Sequence, residues 1–258
     1  MIDISNVKKE FEKYISNYNP EIPRISLKIG HIIRVANNCK LLAESLNLNE
    51  EDTNLAIAIG YFHDIGRFEQ VRRANTFSDK ESKINHGKLG VEILFENNFI
   101  RQFIPDDQYD NIIKKAVLNH NSLKIEDGLT DKEILFCKII RDADKLDIFY
   151  TISKEEYSME SIFWYKTWDD KEISPHILDS FYNNHQIIYK TITSNADVIS
   201  IFYAYIFDLN FEKSIEIIKE HDYLDIFTER VYKQFSSPKI HEQTKNMLEA
   251  CHNYINSL

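Results

Sequence analysis

The sequence of 258 residues is poor in cysteine and has no long hydrophobic run. Its cysteines, Cys39, Cys137 and Cys251, are widely spaced and form no Cys-x-x-Cys pair, so they support neither a disulfide framework nor a thiolate zinc site. We interpret them as buried thiols in a reducing cytoplasm. The longest apolar-rich run covers residues 198–207, well short of the roughly 20 residues that a membrane-spanning helix needs. It predicts a buried helix instead.

Basic residues are outnumbered by acidic ones, 31 to 41. The formal net charge of −10 argues against general binding of duplex nucleic acid, because phosphate contacts along a duplex need clustered cations. A small phosphorylated partner is still compatible, since a bound metal cation can invert the local field. Residues 1–5 have neither the basic nor the apolar part of a signal segment. We therefore expect a cytoplasmic protein without membrane contact, and the sequence leaves a homo-oligomer open.

Helical periodicity dominates what is present. The spacing of apolar residues and the positions of capping residues predict helices over 25–46, 49–65, 78–97, 107–119 and 130–146. Two of these helices open on a capping-box sequence, Ser78 with Glu81 and Thr130 with Glu133. No convincing hairpin signal appears, so we predict an all-α fold. Without a Pro/Gly/Ser-rich linker or an internal repeat, residues 1–258 are expected to form a single domain.

The most informative segment is 60–67, which carries His63 and Asp64 at the end of an apolar stretch. Burying a carboxylate without a partner costs several kcal/mol, so Asp64 needs a compensating charge. A divalent metal supplies that charge and also explains the adjacent imidazole. A mixed set of imidazole and carboxylate ligands favours Mn, Fe, Co, Ni or Zn, whereas an oxygen-only shell would favour Mg or Ca.

Further metal-type residues lie on other predicted helices. They are His31, His86, His120 and the aspartates at positions 142, 144 and 147. Five of the six glycines, at positions 30, 60, 66, 87 and 90, lie within four residues of a candidate ligand. Glycine destabilises a helix by about 0.5–1 kcal/mol relative to alanine, so this placement indicates close backbone approach or room for a ligand. The other five histidines have no ligand-like spacing.

The order of His31, the His63-Asp64 pair and an aspartate in the segment 143–146 resembles the HD-domain superfamily of metal-dependent phosphohydrolases. The resemblance covers residues 20–150 and includes the segments that begin at His86 and surround His120. It implies an HD-domain helical bundle over 20–150, with additional C-terminal helices over 151–258. That extension would complete the core and wall one side of the pocket.

The resemblance also implies a primary metal ion. Its ligands would be His31, His63, Asp64 and Asp144. Asp144 fits the family pattern because the last ligand follows a small residue and precedes Lys or Arg, as it does between Ala143 and Lys145. Asp142 and Asp147 stay open as alternatives, or as carboxylates that orient a ligating imidazole.

A second ion is implied by the additional histidines of dinuclear members of the superfamily. Here these histidines are His86 and His120, and Asp64 would bridge the two ions. One feature departs from that pattern. The dinuclear cyclic-dinucleotide phosphodiesterases have a His-His pair where this chain has Asn119 and His120, so a second ion would have one ligand fewer.

Arg67 stands three positions after Asp64, where the guanosine-tetraphosphate hydrolases and small deoxynucleotidases have an acidic residue. An arginine cannot act as a general base, but it can clamp a phosphate through two parallel hydrogen bonds. In this respect it resembles the lysine of the cyclic-dinucleotide enzymes. The resemblance therefore implies catalysis by Asp64 and a metal-bound hydroxide, with Arg67 and Lys145 steadying phosphate oxygens. A salt bridge from Arg67 to Glu69 or Asp79 is the structural alternative.

These observations favour hydrolysis of a nucleotide or another small phosphate ester, by a phosphomonoesterase or phosphodiesterase. Two further hypotheses stay open. The set of four histidines and two aspartates is also similar to that of the di-iron oxygenases of the superfamily. A regulatory module that holds metal and nucleotide without turnover would use the same ligands. The sequence leaves the substrate and the identity of the metal open.

Overall fold

The computed structural model describes residues 1–96, 98–159, 169 and 171–258. Within these ranges every regular element is a helix, which confirms the predicted all-α fold. None of the helices in this part of the chain is both long and apolar enough to cross a membrane. The chain divides into two compact units, Met1–Asp147 and Ile148–Leu258. The single domain over 1–258, with a core at 20–150 and an extension at 151–258, stays a prediction.

The helices of the first unit follow one another with short connections. They are α1 Ile4–Ile15, α2 Pro23–Ser45, α3 Glu50–Phe62, α4 Ile65–Ala74, α5 Asp79–Ser82, α6 His86–Phe95, α7 Ile100–Phe103, α8 Asp110–Asn119 and α9 Asp131–Ser153. Helix α9 continues past the end of this unit into the second. Helix α1 was not predicted; Asp3 caps it by accepting from the backbone amides of Ser5 and Asn6.

Helices α2 and α3 form the centre of the first unit. The prediction of a helix over 25–46 is confirmed, because α2 covers Pro23–Ser45 and buries residues three or four positions apart from Ile32 through Val35 and Cys39 to Leu42. Helix α3 is buried at every position from 55 to 62, so other elements cover it on all sides. Gly60 allows the two helices to approach closely, since a Cβ atom there would lie 2.6 Å from the Cα atom of Ala36.

The predicted helix over 49–65 is wrong at its end. Helix α3 stops at Phe62, and Asp64 leaves the helical conformation at φ −110° and ψ 15° before α4 begins at Ile65. The physical reason lies in His63, whose Nδ1 atom is 2.7 Å from the carbonyl oxygen of Gly60. In a continuing helix that carbonyl would accept from the amide of Asp64. The pair His63-Asp64 therefore lies at a junction between two helices.

The predicted helix over 78–97 is also divided in two. Ser78 does cap a helix by accepting from the amide of Glu81, but this helix, α5, ends after one turn because Lys83 adopts a left-handed conformation at φ 57°. Asn85 then caps α6 by accepting from the amide of Lys88. Asn97, the predicted end, lies outside the described residues.

The last two predicted helices of this unit are confirmed with shifted ends. Helix α8 begins at Asp110 instead of position 107. Helix α9 opens on the predicted capping box, in which the amide of Glu133 donates to Thr130 Oγ1 at 3.3 Å and the amide of Thr130 donates to Glu133 Oε2 at 2.8 Å. It extends to Ser153, two turns beyond the predicted end at 146.

Helices α4 and α6 approach each other at Gly66. A Cβ atom at this position would clash with the carbonyl oxygen of His86 and would lie 2.7 Å from the amide nitrogen of Gly90. Both neighbours are backbone atoms, so neither can move aside alone. This glycine pair therefore determines how close His86 comes to the junction that carries His63 and Asp64.

We expect Gly66→Ala to lower the free energy of unfolding by about 3 kcal/mol, because two backbones must separate to admit one methyl group. Urea denaturation checks this. Gly30→Ala is the matched control in a helix, since its methyl group would meet only the end of the Arg34 side chain, at 3.1 Å. That variant should be at least as stable as the parent. Equal stability of the Gly66→Ala protein would contradict the close approach.

The second unit is also helical. Its elements are α10 Pro175–Asp179, a π-helical turn Ser180–Asn184, a 3-10 turn Tyr189–Thr191, α11 Asn195–Ala204, a 3-10 turn Tyr205–Asp208, α12 Glu212–Glu220, α13 Tyr223–Gln234 and α14 Pro238–Ser257. The prediction that 198–207 is a buried helix is confirmed as far as Ala204, where the chain tightens into the 3-10 turn. Positions 160–168 and 170 of the predicted extension lie outside the described residues.

A buried carboxylate organises the start of α11. Asp197 accepts from the amides of Ser174, Thr193 and Ser194 at 2.7–3.1 Å and from the hydroxyls of Ser174 and Thr193 at 3.0 and 2.8 Å. Burial raises the pKa of this carboxyl, but the five hydrogen bonds outweigh it and lower the pKa below its ordinary value. Its charged form thus stabilises the fold.

We expect Asp197→Asn to lower the free energy of unfolding by about 2 kcal/mol at neutral pH, because amide hydrogens would face backbone donors. Because the pKa of Asp197 is lower in the folded than in the unfolded protein, its charge contributes its full stabilisation above the unfolded-state pKa of about 4. This stabilisation is lost as the pH falls through the folded-state pKa. The difference in unfolding free energy between the parent and Asp197→Asn should therefore become smaller in acid. Urea unfolding across pH measures it, with the exposed Glu220→Gln as control. A difference in unfolding free energy that becomes larger in acid would contradict the stabilising role of the Asp197 charge.

Candidate metal centre

Two of the candidate histidines terminate a helix. His63 follows α3 and His120 follows α8, and each turns its Nδ1 atom to the carbonyl oxygen three residues back, that of Gly60 or of Val117, at 2.7 Å. These carbonyls are among those that a helix end leaves without a backbone donor. The same hydrogen bond thus ends the helix and leaves the Nε2 atom of each ring pointing away from its helix.

The other two histidines are oriented by carboxylates. His31, in the middle of α2, has its Nδ1 atom 2.6 Å from Asp147 Oδ2. His86, the first residue of α6, has its Nδ1 atom 2.9 Å from Asp79 Oδ1. With all four Nδ1 atoms placed as donors, a ring that carries a single proton presents its Nε2 lone pair, which is the state that binds metals.

A first cluster of donor atoms forms around His31. Its Nε2 atom lies 3.3 Å from His63 Nε2, 3.1 Å from Asp144 Oδ1 and 3.5 Å from Asp64 Oδ2. The His63 Nε2 atom lies 3.6 Å from the same Asp64 oxygen. Asp144 and Asp147, one turn apart on α9, contact opposite nitrogens of the His31 ring. This arrangement supports Asp144 as a ligand and Asp147 as the carboxylate that orients the imidazole.

A second cluster forms on the other oxygen of Asp64. Its Oδ1 atom lies 3.3 Å from His86 Nε2 and 3.5 Å from His120 Nε2, and the two imidazole nitrogens are 3.0 Å apart. The structure therefore brings all six predicted ligands together, in two groups that share one carboxylate. The sets His31, His63, Asp64 and Asp64, His86, His120 each have the spacing that can hold a metal ion.

The residues fit a cation on two physical grounds. Asp64 is 3% exposed, and its Oδ1 atom has no hydrogen-bond partner among the residues that the structure describes, which is costly for a buried carboxylate oxygen. The Nε2 atoms of His86 and His120 also face each other at hydrogen-bond distance, although both rings donate through Nδ1. A cation between these lone pairs satisfies all three atoms at once. If this region were only a packed core with no bound cation, these three atoms would be left without a partner for their lone pairs.

Burial and charge set the protonation of the centre. Burial lowers the pKa of His63 to about 4 and that of His86 to about 3, so both rings are neutral and able to bind metal at neutral pH. For His31, burial and Lys28 lower the pKa, but bonds to Asp144, Asp147 and Asp64 outweigh them and raise it to about 10.

For the Asp64 carboxyl, burial acts on the pKa in the direction opposite to its effect on a histidine. Burial raises its pKa, but the ammonium group of Lys28 and the surrounding imidazoles outweigh burial and hold the pKa well below its usual range. Asp144 behaves in the same way, because its bond to His31 outweighs the effect of burial on its pKa. Both carboxylates are therefore charged, as metal ligands must be.

The two predicted cationic residues lie in different places. Arg67 is beside the centre, with its Nε atom 3.6 Å from Asp64 Oδ1, and its Nη1 atom donates to Asp79 Oδ1 at 2.9 Å. The structural alternative, a salt bridge to Asp79, is thus present. Lys145 is buried and donates to the carbonyl oxygen of Arg141 on its own helix at 3.4 Å. Its contact with phosphate stays a prediction.

Asn119, which stands where some relatives have a histidine, does not face the centre. Its amide donates to the carbonyl of Lys115, and its oxygen accepts from the amide of Glu126. Its own carbonyl accepts from Arg141 at 2.9 Å. Asn119 therefore fixes the end of α8, next to His120, and leaves three ligands for the second cluster.

Sequence reasoning missed Lys28 and the role of Asp79. Lys28 Nζ lies 2.7 Å from Asp64 Oδ2, closer than any imidazole. One signal was available, because Lys28 precedes His31 by three positions on α2 and so lies on the same face. Asp79 offered no such signal. It reaches His86 only because α5 is short and the chain reverses before α6.

Comparison with known proteins agrees with this geometry. Residues 29–148 match the family model of the HD domain, which includes all six candidate ligands. The match identifies an HD domain within residues 29–148 and supports membership of the HD-domain superfamily. Neither a search of curated proteins nor a search of solved structures returned a match.

We expect Asp64→Ala to abolish metal binding at both clusters, because both use its carboxylate, whereas His120→Ala should retain about one ion per chain. Elemental analysis after equilibration with Mn²⁺ measures this, and circular dichroism checks that the variants stay helical. The exposed His176→Ala is the control. Full metal content in Asp64→Ala, or complete loss in His120→Ala, would contradict the shared carboxylate.

Proposed function

We propose that this protein is a metal-dependent phosphohydrolase that acts on a nucleotide or another small phosphate ester. The observation that carries the proposal is the pair of donor clusters joined by Asp64 with Arg67 beside them. Imidazole and carboxylate ligands of this kind suit Mn, Fe, Co, Ni or Zn. A bound metal of this type lowers the pKa of its water and shields charge on a phosphoryl group.

Arg67 has the properties of a phosphate-holding residue. Its Nη1 atom is fixed by Asp79 and by the carbonyl of Phe77, while its buried Nε atom has no hydrogen-bond partner in the described part of the chain. That N–H is directed toward Asp64, at the position where a phosphate oxygen would approach the clusters. A guanidinium that is already oriented loses little freedom when it binds an oxyanion. Arg67 would therefore orient the substrate without acting as a base.

The second candidate function is a di-iron oxygenase. The observation that favours it is the ligand set itself, in which four imidazoles and the carboxylate of Asp144 surround the shared carboxylate of Asp64. Such a set can hold two irons as well as two redox-inert ions. Two irons in aerobically purified protein, with the paramagnetic signal of a mixed-valent pair, would favour this function. A single redox-inert ion per chain would exclude it.

The decisive experiment measures phosphate or nucleotide release from a panel of phosphate esters by protein loaded with Mn²⁺, Co²⁺ or Ni²⁺. We expect metal-dependent turnover, and Arg67→Met should reduce kcat/KM by about 100-fold, since a preorganised charged donor is lost. Arg72→Met is the matched control, because Arg72 lies on the same helix with an exposed side chain and pairs with Glu69, not with the clusters.

Metal content must be measured for every variant, because Arg67 also contacts Asp79, the partner of His86. No turnover on any ester by protein with demonstrated metal would contradict the phosphohydrolase. Tight nucleotide binding without any conversion would instead support a regulatory module.

A further inference from the structure

Lys28 is the nearest charged group to the shared carboxylate, and the proposed function leaves it without a role. Its ammonium group lies 2.7 Å from Asp64 Oδ2. This is the oxygen that faces His31 Nε2 at 3.5 Å and His63 Nε2 at 3.6 Å. Lys28 therefore supplies part of the positive charge that compensates the Asp64 carboxylate.

Metal binding changes the electrostatics of this contact. A cation held by Asp64 Oδ2 and an ammonium group bonded to the same oxygen would place two positive charges in close repulsion. The repulsion is relieved if Lys28 releases the carboxylate, or if an oxyanion accepts from the ammonium group and also faces the metal. Lys28 is suited to such an exchange, because its charge is carried on a flexible stem with three rotatable donors.

Exposure indicates which side of the centre a ligand reaches. The side chains of His31, His63, His86, His120 and Asp64 are at most 9% exposed, whereas those of Lys28, Arg67 and Asp144 are 16%, 17% and 19% exposed. The two cations thus lie on the accessible side of the clusters. An anion that approached from solvent would meet both of them before it reached the histidines.

The loop after α4 holds the two cations near one aromatic ring. The ring of Phe77 lies 5.5 Å from Lys28 Nζ and 5.9 Å from the guanidinium carbon of Arg67. Arg24 donates to the carbonyl of Asn75 and Arg67 to that of Phe77, so the loop is fixed at both ends. Lys28 and Arg67 therefore both lie near the Phe77 ring, in a loop that is held by hydrogen bonds, and they are not independent surface charges.

We propose that Lys28 is a phosphate-binding residue. Lys28 bonds Asp64 in this structure and would transfer this hydrogen bond to a phosphate oxygen of the substrate when the clusters hold metal. Lys28 and Arg67 together form an oxyanion subsite on the accessible side of the centre. The inference rests on the proposed function for the chemistry of its ligand, a phosphomonoester or phosphodiester.

The test uses calorimetric titration of the full chain with two probes, Mn²⁺ into metal-free protein and orthophosphate into Mn²⁺-loaded protein. Lys28→Met should bind Mn²⁺ at least as tightly as the parent, because a competing cation is removed from Asp64. It should bind orthophosphate about 10-fold more weakly or worse, as expected for a lost charged hydrogen bond. A merely structural role for Lys28 would not move the two affinities in opposite directions.

Two further variants complete the design. Lys28→Arg should retain orthophosphate affinity within about 3-fold, since charge and donors are kept. Lys40→Met is the matched control for a lysine on the same helix, where its ammonium group faces Glu44 at the surface. It should change neither affinity. If Lys28→Met does not fold, Lys28→Gln serves in the same titrations.

Unchanged orthophosphate affinity in Lys28→Met, or loss of Mn²⁺ from it, would overturn the inference. So would a Mn²⁺-loaded parent that binds no orthophosphate. The outcome is separate from that of the proposed function. Orthophosphate binding that depends on Lys28 in a protein that hydrolyses no ester would uphold the subsite and contradict the hydrolase. Normal hydrolysis by Lys28→Met, with unchanged kcat and KM, would uphold the hydrolase and contradict the subsite.

Discussion

The buried carboxylate of Asp64 is the constraint on which the centre depends. Each of its oxygens faces a different pair of imidazoles, and one oxygen has no hydrogen-bond partner within the described ranges. A charge in this position is stable only if cations surround it. Lys28 and Arg67 supply part of that charge, and the geometry of the four Nε2 atoms provides for the remainder. The fold around Asp64 can be understood as the means of keeping these groups close together.

The backbone achieves this by ending helices at two of the candidate ligands. His63 and His120 each bond a carbonyl of the helix that they terminate, so one hydrogen bond both stops the helix and orients the ring. The glycine contact between α4 and α6 then brings His86 to the same place. Substitutions at such a contact are expected to change ligand geometry as well as stability, because the backbone itself sets the distance. Structure and chemistry are therefore coupled in this unit.

Much of this could be predicted from the sequence, and the misses have physical causes. Apolar periodicity predicted α2, and the capping box predicted the start of α9, because both signals are local. The end of α3 was missed because a side chain, not a proline or glycine, replaces the backbone donor. Convergence of the six ligands came from motif order, whereas the contacts of Lys28 and Asp79 depend on how separate segments meet.

The most direct test of the account is anomalous diffraction from crystals of the protein grown with Mn²⁺, recorded on both sides of the manganese absorption edge. The account predicts one peak on each side of the Asp64 carboxylate, the first against His31 and His63 and the second against His86 and His120. Manganese bound elsewhere on the protein, with no anomalous density at Asp64, would contradict it.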